Sequence, residues 1–220
     1  MSQNIIEVMV VDDHPVVVKG IQALLAEVDD VTVVAFASDG KTAISLNAKL
    51  HPDVILMDIL MPEMDGIETI QHIITQDPKA KILVLTSFIT DERIFPAIKA
   101  GALGYLLKDS NPDDLVKAIR QVYNGVPSLH PTVARRILQD FQNEPSLEIS
   151  SENVLTDREI DVLGLLARGK GNQEISEKLV IAEVTVRTHI SRILQKLHLE
   201  NRVQASLYAL RHGITDLKDE

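Results

Sequence analysis

The chain contains no cysteine and no tryptophan. Without thiols it can form no disulfide framework, zinc knuckle, iron–sulfur cluster or cysteine nucleophile, so any metal must be held by oxygen and imidazole ligands. Aromatic residues make up only 3% of the sequence against 45% for hydrophobic residues as a whole, so the core has to be aliphatic. Long apolar runs are missing as well. The longest, such as Val54-Ile55-Leu56-Met57 and Ile82-Leu83-Val84-Leu85, are strand-sized, and Met1-Ser2-Gln3-Asn4 lacks the basic-then-apolar pattern of an export signal. A soluble, cytoplasmic protein with no membrane partner is expected. No internal repeat or low-complexity segment is evident, and 220 residues suit one large or two small domains.

The formal net charge of −10 would argue against a nucleic-acid partner if it were evenly spread. It is not. Residues 1–130 carry ten basic and eighteen acidic side chains, net −8; residues 131–153 are net −2; residues 154–220 balance ten against ten. Within 184–212, Arg187, Arg192, Lys196, Arg202 and Arg211 face only Glu200. An acidic front half thus precedes a locally basic helix pair.

Residues 1–125 alternate short β-branched runs with helical periodicity, the pattern of a parallel sheet covered by helices. Strands are predicted at 5–11, 31–36, 53–57, 81–86 and 104–107, and helices at 15–28, 40–50, 66–76, 91–100 and 112–124. The third and fourth strands are apolar on both faces, as strands between two helical layers must be. Asp39, Asp65 and Asn111 mark helix starts, the last followed by Pro112 at a position needing no N–H. Residues 126–153, with three prolines and a short predicted helix at 132–142, form a linker. From 154 strand signals stop, and four helices are predicted at 156–168, 172–179, 183–197 and 201–212. Thr156-Asp157-Arg158-Glu159 fits a capping box, and Asn201-Arg202-Val203-Gln204 resembles another.

The first, third, fourth and fifth predicted strands end in Asp12-Asp13, Asp58, Thr86 and Lys108, which gathers polar groups at the carboxyl edge of the sheet, where open parallel sheets bind ligands. Three carboxylates in one crevice repel each other unless a cation neutralises them, and a hard ion of the Mg²⁺ type, completed by water and phosphate oxygens, suits them best. Thr86 and Lys108 add a hydroxyl and an ammonium for the remaining oxygens of a phosphoryl group. This is a phosphoryl-transfer constellation. Asp12-Asp13 alone would be an ordinary solvated strand end, Asp65 reads as a cap, and His14, before Pro15, as a residue that opens a helix rather than a metal ligand. Gly40-Lys41-Thr42 echoes a phosphate-binding loop, but Ala35 stands where that motif needs its first glycine.

Val11-Asp12-Asp13-His14-Pro15, Asp58-Ile59-Leu60-Met61-Pro62, Leu85-Thr86-Ser87 and Gly104-Tyr105-Leu106-Leu107-Lys108 together resemble the receiver domain of bacterial two-component response regulators. The resemblance covers residues 4–125. It implies a flavodoxin-like five-stranded parallel sheet of order 2-1-3-4-5, with Asp58 as acceptor of a phosphoryl group from a sensor histidine kinase. It further implies Mg²⁺ held by Asp13, Asp12, Asp58 and the backbone carbonyl of Leu60, with Lys108 and Thr86 on the phosphoryl oxygens. Tyr105 matches the switch aromatic that turns inward when Thr86 shifts. Asp109 stands where many receivers carry a proline in a cis bond, a geometry that would cost about 3 kcal/mol without proline. Leu60 and Phe88 flank the acceptor and are apolar, which predicts restricted water access and a long-lived phosphoryl group.

Helices at 172–179 and 183–197 have helix-turn-helix spacing. The second places Val186, Ile190, Ile193, Leu194 and Leu197 on an apolar stripe and leaves Arg187, Thr188, Ser191, Arg192 and Gln195 on other faces. Such a helix suits a major groove, where Arg pairs with guanine and hydroxyls are tolerant readers, though a core helix with a solvated basic face would look similar. The wider pattern is more specific: Leu155-Thr156-Asp157-Arg158-Glu159, Asn172-Gln173-Glu174-Ile175, Thr185-Val186-Arg187-Thr188-His189 and Asn201-Arg202-Val203-Gln204-Ala205 resemble the LuxR-type DNA-binding domain, over residues 150–215. A receiver joined to that output resembles the NarL/FixJ family of transcriptional response regulators. By that resemblance Arg187, Thr188 and Ser191 face bases. Asn172, His189, Arg192 and Lys196 serve phosphates or nearby packing, and the last helix helps to pair two copies. Two departures stand out: Ala182 replaces a frequent serine cap, worth about 1 kcal/mol, and Ser191 occupies a position that is basic in some relatives.

The expected architecture is therefore α/β followed by all-α: a receiver at 1–125, a linker at 126–153 and a four-helix DNA-binding domain at 154–220. The expected function is a regulator, not an enzyme in the ordinary sense, that is phosphorylated on Asp58, dimerises and binds promoter double-stranded DNA, with RNA polymerase as a further partner. Two alternatives carry the same acids: a constitutively dimeric DNA-binding regulator indifferent to phosphate, and a Mg²⁺-dependent phosphatase with Asp58 as nucleophile. The second leaves the helical half without a purpose.

Overall fold

The computed structural model describes residues 5–87, 91–129, 133 and 155–214. The described residues of 5–123, with 128–129, cluster into one unit, and those of 155–214, with 124–127, into a second.

The first unit is built on strands β1 (Ile6–Val11), β2 (Val31–Ala37), β3 (Val54–Asp58), β4 (Ile82–Thr86) and β5 (Gly104–Leu107). These alternate with helices α1 (Pro15–Leu25), α2 (Gly40–Leu50), α3 (Gly66–Gln76), α4 (Asp91–Lys99) and α5 (Pro112–Tyr123). All five strands run parallel in the order 2-1-3-4-5, and every residue of β3 and β4 is buried, which their two-faced apolar runs require. The sheet has one strand more than expected. A two-residue β6 (Ser128–Leu129) pairs parallel to β5, Ser128 opposite Gly104, so the start of the predicted linker closes the edge of the sheet. Two residues between Pro127 and a stretch without strand periodicity carry too little pattern to be read as a strand. The predicted helix at 132–142 and the acidic stretch 143–153 lie outside the described residues, Val133 excepted.

Alternation along the strands divides the core. Ile6, Val8, Val10 and Leu56 pack with Ile21 and Leu25 of α1 and with Leu115, Ile119 and Val122 of α5. Met9, Val11, Ile55 and Met57 are buried on the opposite face, and Ala43, Ile70, Ile73 and Ile94 are buried in α2, α3 and α4. Helix starts follow the expected caps: Asp39 accepts from Thr42 N–H at 2.8 Å and Asp65 from Glu68 N–H at 2.9 Å. Gly66 N–H donates to the Ile59 carbonyl at 2.9 Å, and a Cβ on Gly66 would collide with the Asp58 carbonyl oxygen and lie 2.7 Å from Ile59 Cα. Only glycine lets α3 press this closely against the end of β3.

Among its described residues the second unit holds four helices, α6 (Asp157–Ala167), α7 (Asn172–Leu179), α8 (Glu183–Lys196) and α9 (Arg202–Arg211). Val162, Leu163, Leu166, Ile175, Val186, Ile193, Ala205 and Tyr208 form its core. The capping box at α6 closes as expected, Thr156 N–H donating to Glu159 at 2.9 Å and Glu159 N–H to Thr156 at 3.3 Å. Only half of the second box forms: Asn201 accepts from Gln204 N–H at 3.0 Å, but the Gln204 amide turns to the Glu200 backbone at 2.9 Å. Ala182 at the start of α8 makes no side-chain cap.

Candidate functional site

Register places the receiver cluster. Asp58 ends β3 opposite Leu85, Thr86 ends β4 opposite Leu107, and Lys108 N–H donates to the Thr86 carbonyl at 2.8 Å, so Lys108 leaves the sheet beside β4, one strand from Asp58. Asp12 follows β1, its N–H held by the Ala37 carbonyl at 3.0 Å. Lys108 Nζ then lies 2.8 Å from Asp58 Oδ2 and 2.6 Å from Asp12 Oδ2, with both carboxyl side chains about as buried as core residues, at 3% and 2% exposure. No cis peptide occurs among the described residues, so the turn from Lys108 into Asp109 is trans.

Burial raises the pKa of Asp58, with the Asp12 charge adding to it, and this outweighs the hydrogen bond and charge of Lys108 and the Leu60 N–H, which donates at 3.3 Å. Burial pulls Lys108 down, but its hydrogen bonds to Asp12 and Asp58 and their charges win, and its pKa is raised. Tyr105 is buried at 1% exposure and hydrogen-bonded to Thr86, and burial pushes its phenol up to about 12. The aromatic expected to turn inward thus sits inside, against the threonine expected to move it. Leu60, expected to shield the acceptor, is 37% exposed, and Phe88 lies outside the described residues.

The structure adds a group that sequence reading set aside. His14 does precede α1 as its N-cap residue, yet its ring also faces the acids: Nδ1 is 3.2 Å from Asp12, 2.8 Å from Asp13 and 4.0 Å from Asp58. One ligand atom from each of Asp12, Asp13, His14 and Asp58 falls within 4.8 Å of the others. Asp13 Oδ1 is buried with no hydrogen bond, the His14 nitrogen beside it being outside hydrogen-bond geometry. An orphaned carboxylate oxygen among hard oxygen donors fits a small divalent cation. His14's adjacency to Asp13 was the available signal; the helix-opening role was the competing one.

In the second unit the residues expected to meet DNA divide. Arg187, Thr188, Ser191 and Arg192 are exposed along α8. Arg187 is paired to Glu183 one turn earlier at 3.0 Å, and the Thr188 hydroxyl donates to the Val184 carbonyl at 2.9 Å. The other three stand in packing. Lys196 Nζ is 2.7 Å from Glu159, which is 3% exposed; burial raises the Glu159 pKa, but Lys196 and the Thr156 hydrogen bonds leave it lowered. Asn172 Oδ1 accepts from Arg202 at 2.8 Å, and Arg202 also donates to the Lys170 carbonyl; burial lowers its pKa to about 10. His189 is half-buried, with a buried Nδ1 that has no hydrogen-bond partner.

Comparison with known proteins accounts for both units. Residues 8–120 match the response regulator receiver domain, and residues 153–209 match the luxR family of bacterial regulatory proteins. The chain is 43% identical to the transcriptional regulatory protein LiaR of Bacillus subtilis, over 96% of this chain and 100% of that one. Among solved structures it is similar to the response regulator ChrA of a heme-sensing two-component system, with 37% identity, TM-score 0.54, and coverage of 96% and 99%. It is also similar to RcsB in a structure of two dimers bound to two parallel DNAs, with 30% identity, TM-score 0.56, and coverage of 96% and 100%. No described helix is long and apolar enough to cross a membrane. The chain belongs to the two-component response regulators of the NarL/FixJ type, transcription regulators that join a receiver domain to a LuxR-type helix-turn-helix DNA-binding domain.

Proposed function

We propose that this regulator is switched by phosphorylation of Asp58. Residues 1–125 act as the phosphoacceptor, 126–153 connect, and 154–220 bind promoter DNA as a dimer in the cytoplasm, from which RNA polymerase is recruited or blocked. The observation that carries the reading is the buried acceptor carboxylate held 2.8 Å from Lys108 beside Asp12 and Asp13.

A carboxylate oxygen of Asp58 attacks the phosphorus of a phosphohistidine on a sensor kinase; the new P–O bond forms as the P–N bond breaks, and the kinase imidazole takes up a proton. Asp12, Asp13, Asp58 and the Leu60 carbonyl would hold Mg²⁺, which supplies charge neutralisation for phosphoryl oxygens. Lys108 is already within reach of the acceptor and need only exchange a carboxylate oxygen for a phosphoryl one. Thr86 and Tyr105, buried side by side, are placed to transmit the change by shifting an existing equilibrium. Self-phosphorylation from small donors and self-hydrolysis belong to the same site.

Intact mass after incubation with Mg²⁺ and acetyl phosphate is the test. The expected result is a gain of one phosphoryl group that Asp58→Asn lacks, together with a shift in light scattering and in DNA affinity. No gain from acetyl phosphate or from any sensor kinase would overturn the reading in favour of a constitutive dimer.

A further inference from the structure

The outer face of α8 has an order that the polar readout alone does not account for. Val184, Thr188, Ser191 and Gln195 recur at i, i+4, i+7 and i+11, which is a single stripe on a helix of 3.6 residues per turn, and all four are exposed. Val186 and Ile193 are buried in the domain core from the opposite side of the helix, so this stripe is the face turned away from the fold. Arg187 and Arg192 flank it. At its N-terminal head stands Val184, 68% exposed, a large aliphatic side chain where solvation alone would favour a polar one.

The next residue along sharpens the point. The Thr188 hydroxyl gives its proton to the Val184 carbonyl, so toward a ligand it offers lone pairs and a methyl group, not a donor. The leading turn of α8 thus presents a branched aliphatic group, an acceptor-plus-methyl and, beside them, a guanidinium. In a major groove the one apolar feature on a base edge is the 5-methyl of thymine, while Arg suits guanine O6 and N7. Helix-turn-helix proteins bring the first turns of this helix to the base edges.

Resting on the DNA-binding reading above, we propose that Val184 is a specificity-determining residue that reads the 5-methyl group of a thymine in each half-site, next to the base pair read by Arg187. Burying one methyl group against Val184 makes the thymine worth about fourfold in affinity over uracil at the same position.

The experiment uses the full chain treated with acetyl phosphate and Mg²⁺. A library of duplexes with a randomised centre is taken through selection, and thymines of the enriched sequence are replaced singly by deoxyuridine, which removes only the methyl. Fluorescence anisotropy then reads the affinity of the wild type and of Val184→Ser, an exposed position where the change leaves the core untouched. The expected result is one thymine per half-site at which deoxyuridine weakens the wild type about fourfold and leaves Val184→Ser unaffected. Enriched sites with no methyl-sensitive thymine, or a sensitivity that persists in Val184→Ser, would overturn the assignment while leaving DNA binding intact. Enrichment of no sequence at all would overturn the DNA-binding reading, and this inference with it.

Discussion

Replacing Lys108 by methionine keeps the length of the side chain and removes an ammonium that faces both buried carboxylates. Its Nζ lies 2.6 Å from Asp12 and 2.8 Å from Asp58, at 11% exposure. At an effective dielectric of about 20, each contact is worth roughly 6 kcal/mol of gross attraction. Most of that is offset by the cost of taking three charges out of water, and breaking a buried pair from one side typically costs about 3–5 kcal/mol net. For a unit of this size, with roughly 2.1 cal/mol/K of unfolding entropy per residue, the receiver melting temperature should fall by about 12–20 °C. The assay is thermal unfolding at pH 7.5 in EDTA, followed by circular dichroism. Three results should accompany the fall. Mg²⁺ should restore more to the variant than to the wild type, because a cation among the carboxylates replaces the missing charge. Asp58→Asn in the same chain should recover much of the loss, since one of the two orphaned charges is then gone. The deficit should shrink as pH falls and Asp58, whose pKa burial raises, protonates. A melting temperature within 2–3 °C of wild type, with no rescue by Mg²⁺ or Asp58→Asn, would refute the claim that Lys108 balances this cluster; that margin is about 0.5–0.8 kcal/mol.

Asp58→Asn alone should raise the melting temperature at neutral pH. The Asp58 pKa is raised by burial, so its contribution to stability is fully present below its unfolded pKa and is lost as pH rises through the folded one; the advantage of Asn in thermal melts should therefore vanish toward acid. Glu159 has the opposite sign. Its lowered pKa gives stability that is present above the ordinary carboxylate range and lost as pH falls through the folded value, so Glu159→Gln should cost the output domain about 1.5–3 kcal/mol at pH 7 and progressively less in acid titrations. Val180 is 88% exposed with φ of 54°, a left-handed conformation that a β-branched residue adopts only under strain. Val180→Gly should stabilise that domain by about 0.5–1 kcal/mol in chemical denaturation, and any loss would contradict the strain. Glu183→Gln removes the partner that holds Arg187 in the free protein and a negative charge from the first turn of α8. DNA affinity should rise by roughly threefold at low salt, consistent with a surface pair worth under about 1 kcal/mol, and the gain should fade as salt is added.

What was legible in advance was what neighbours in sequence decide. Two-faced apolar runs marked β3 and β4, Asp39, Asp65 and Thr156 marked helix starts through bonds to residues three positions on, and the polar residues after the first, third, fourth and fifth strands marked one edge of the sheet. Parallel strands need that arrangement wherever they occur, so the spacing alone brought Asp12, Asp58, Thr86 and Lys108 to one edge. What the sequence missed or left open is set by contacts across long stretches of chain. β6 exists because the β5 edge offers backbone partners to Ser128 and Leu129, not because two residues have strand character of their own. Lys196 and Asn172, both plausible as phosphate ligands by type, are tied to Glu159 and Arg202, 37 and 30 residues away in the chain. His14 shows the limit most clearly. Its place before Pro15 determined that it would open a helix, and Asp12 and Asp13 beside it are its near neighbours, but that the same ring would also stand 4.0 Å from Asp58 depended on where β3 delivered that carboxylate. Local pattern determined the elements and the chemistry of their ends, and tertiary packing decided which of those ends found a charge to answer them, because a buried charge is tolerated only where the fold supplies its partner.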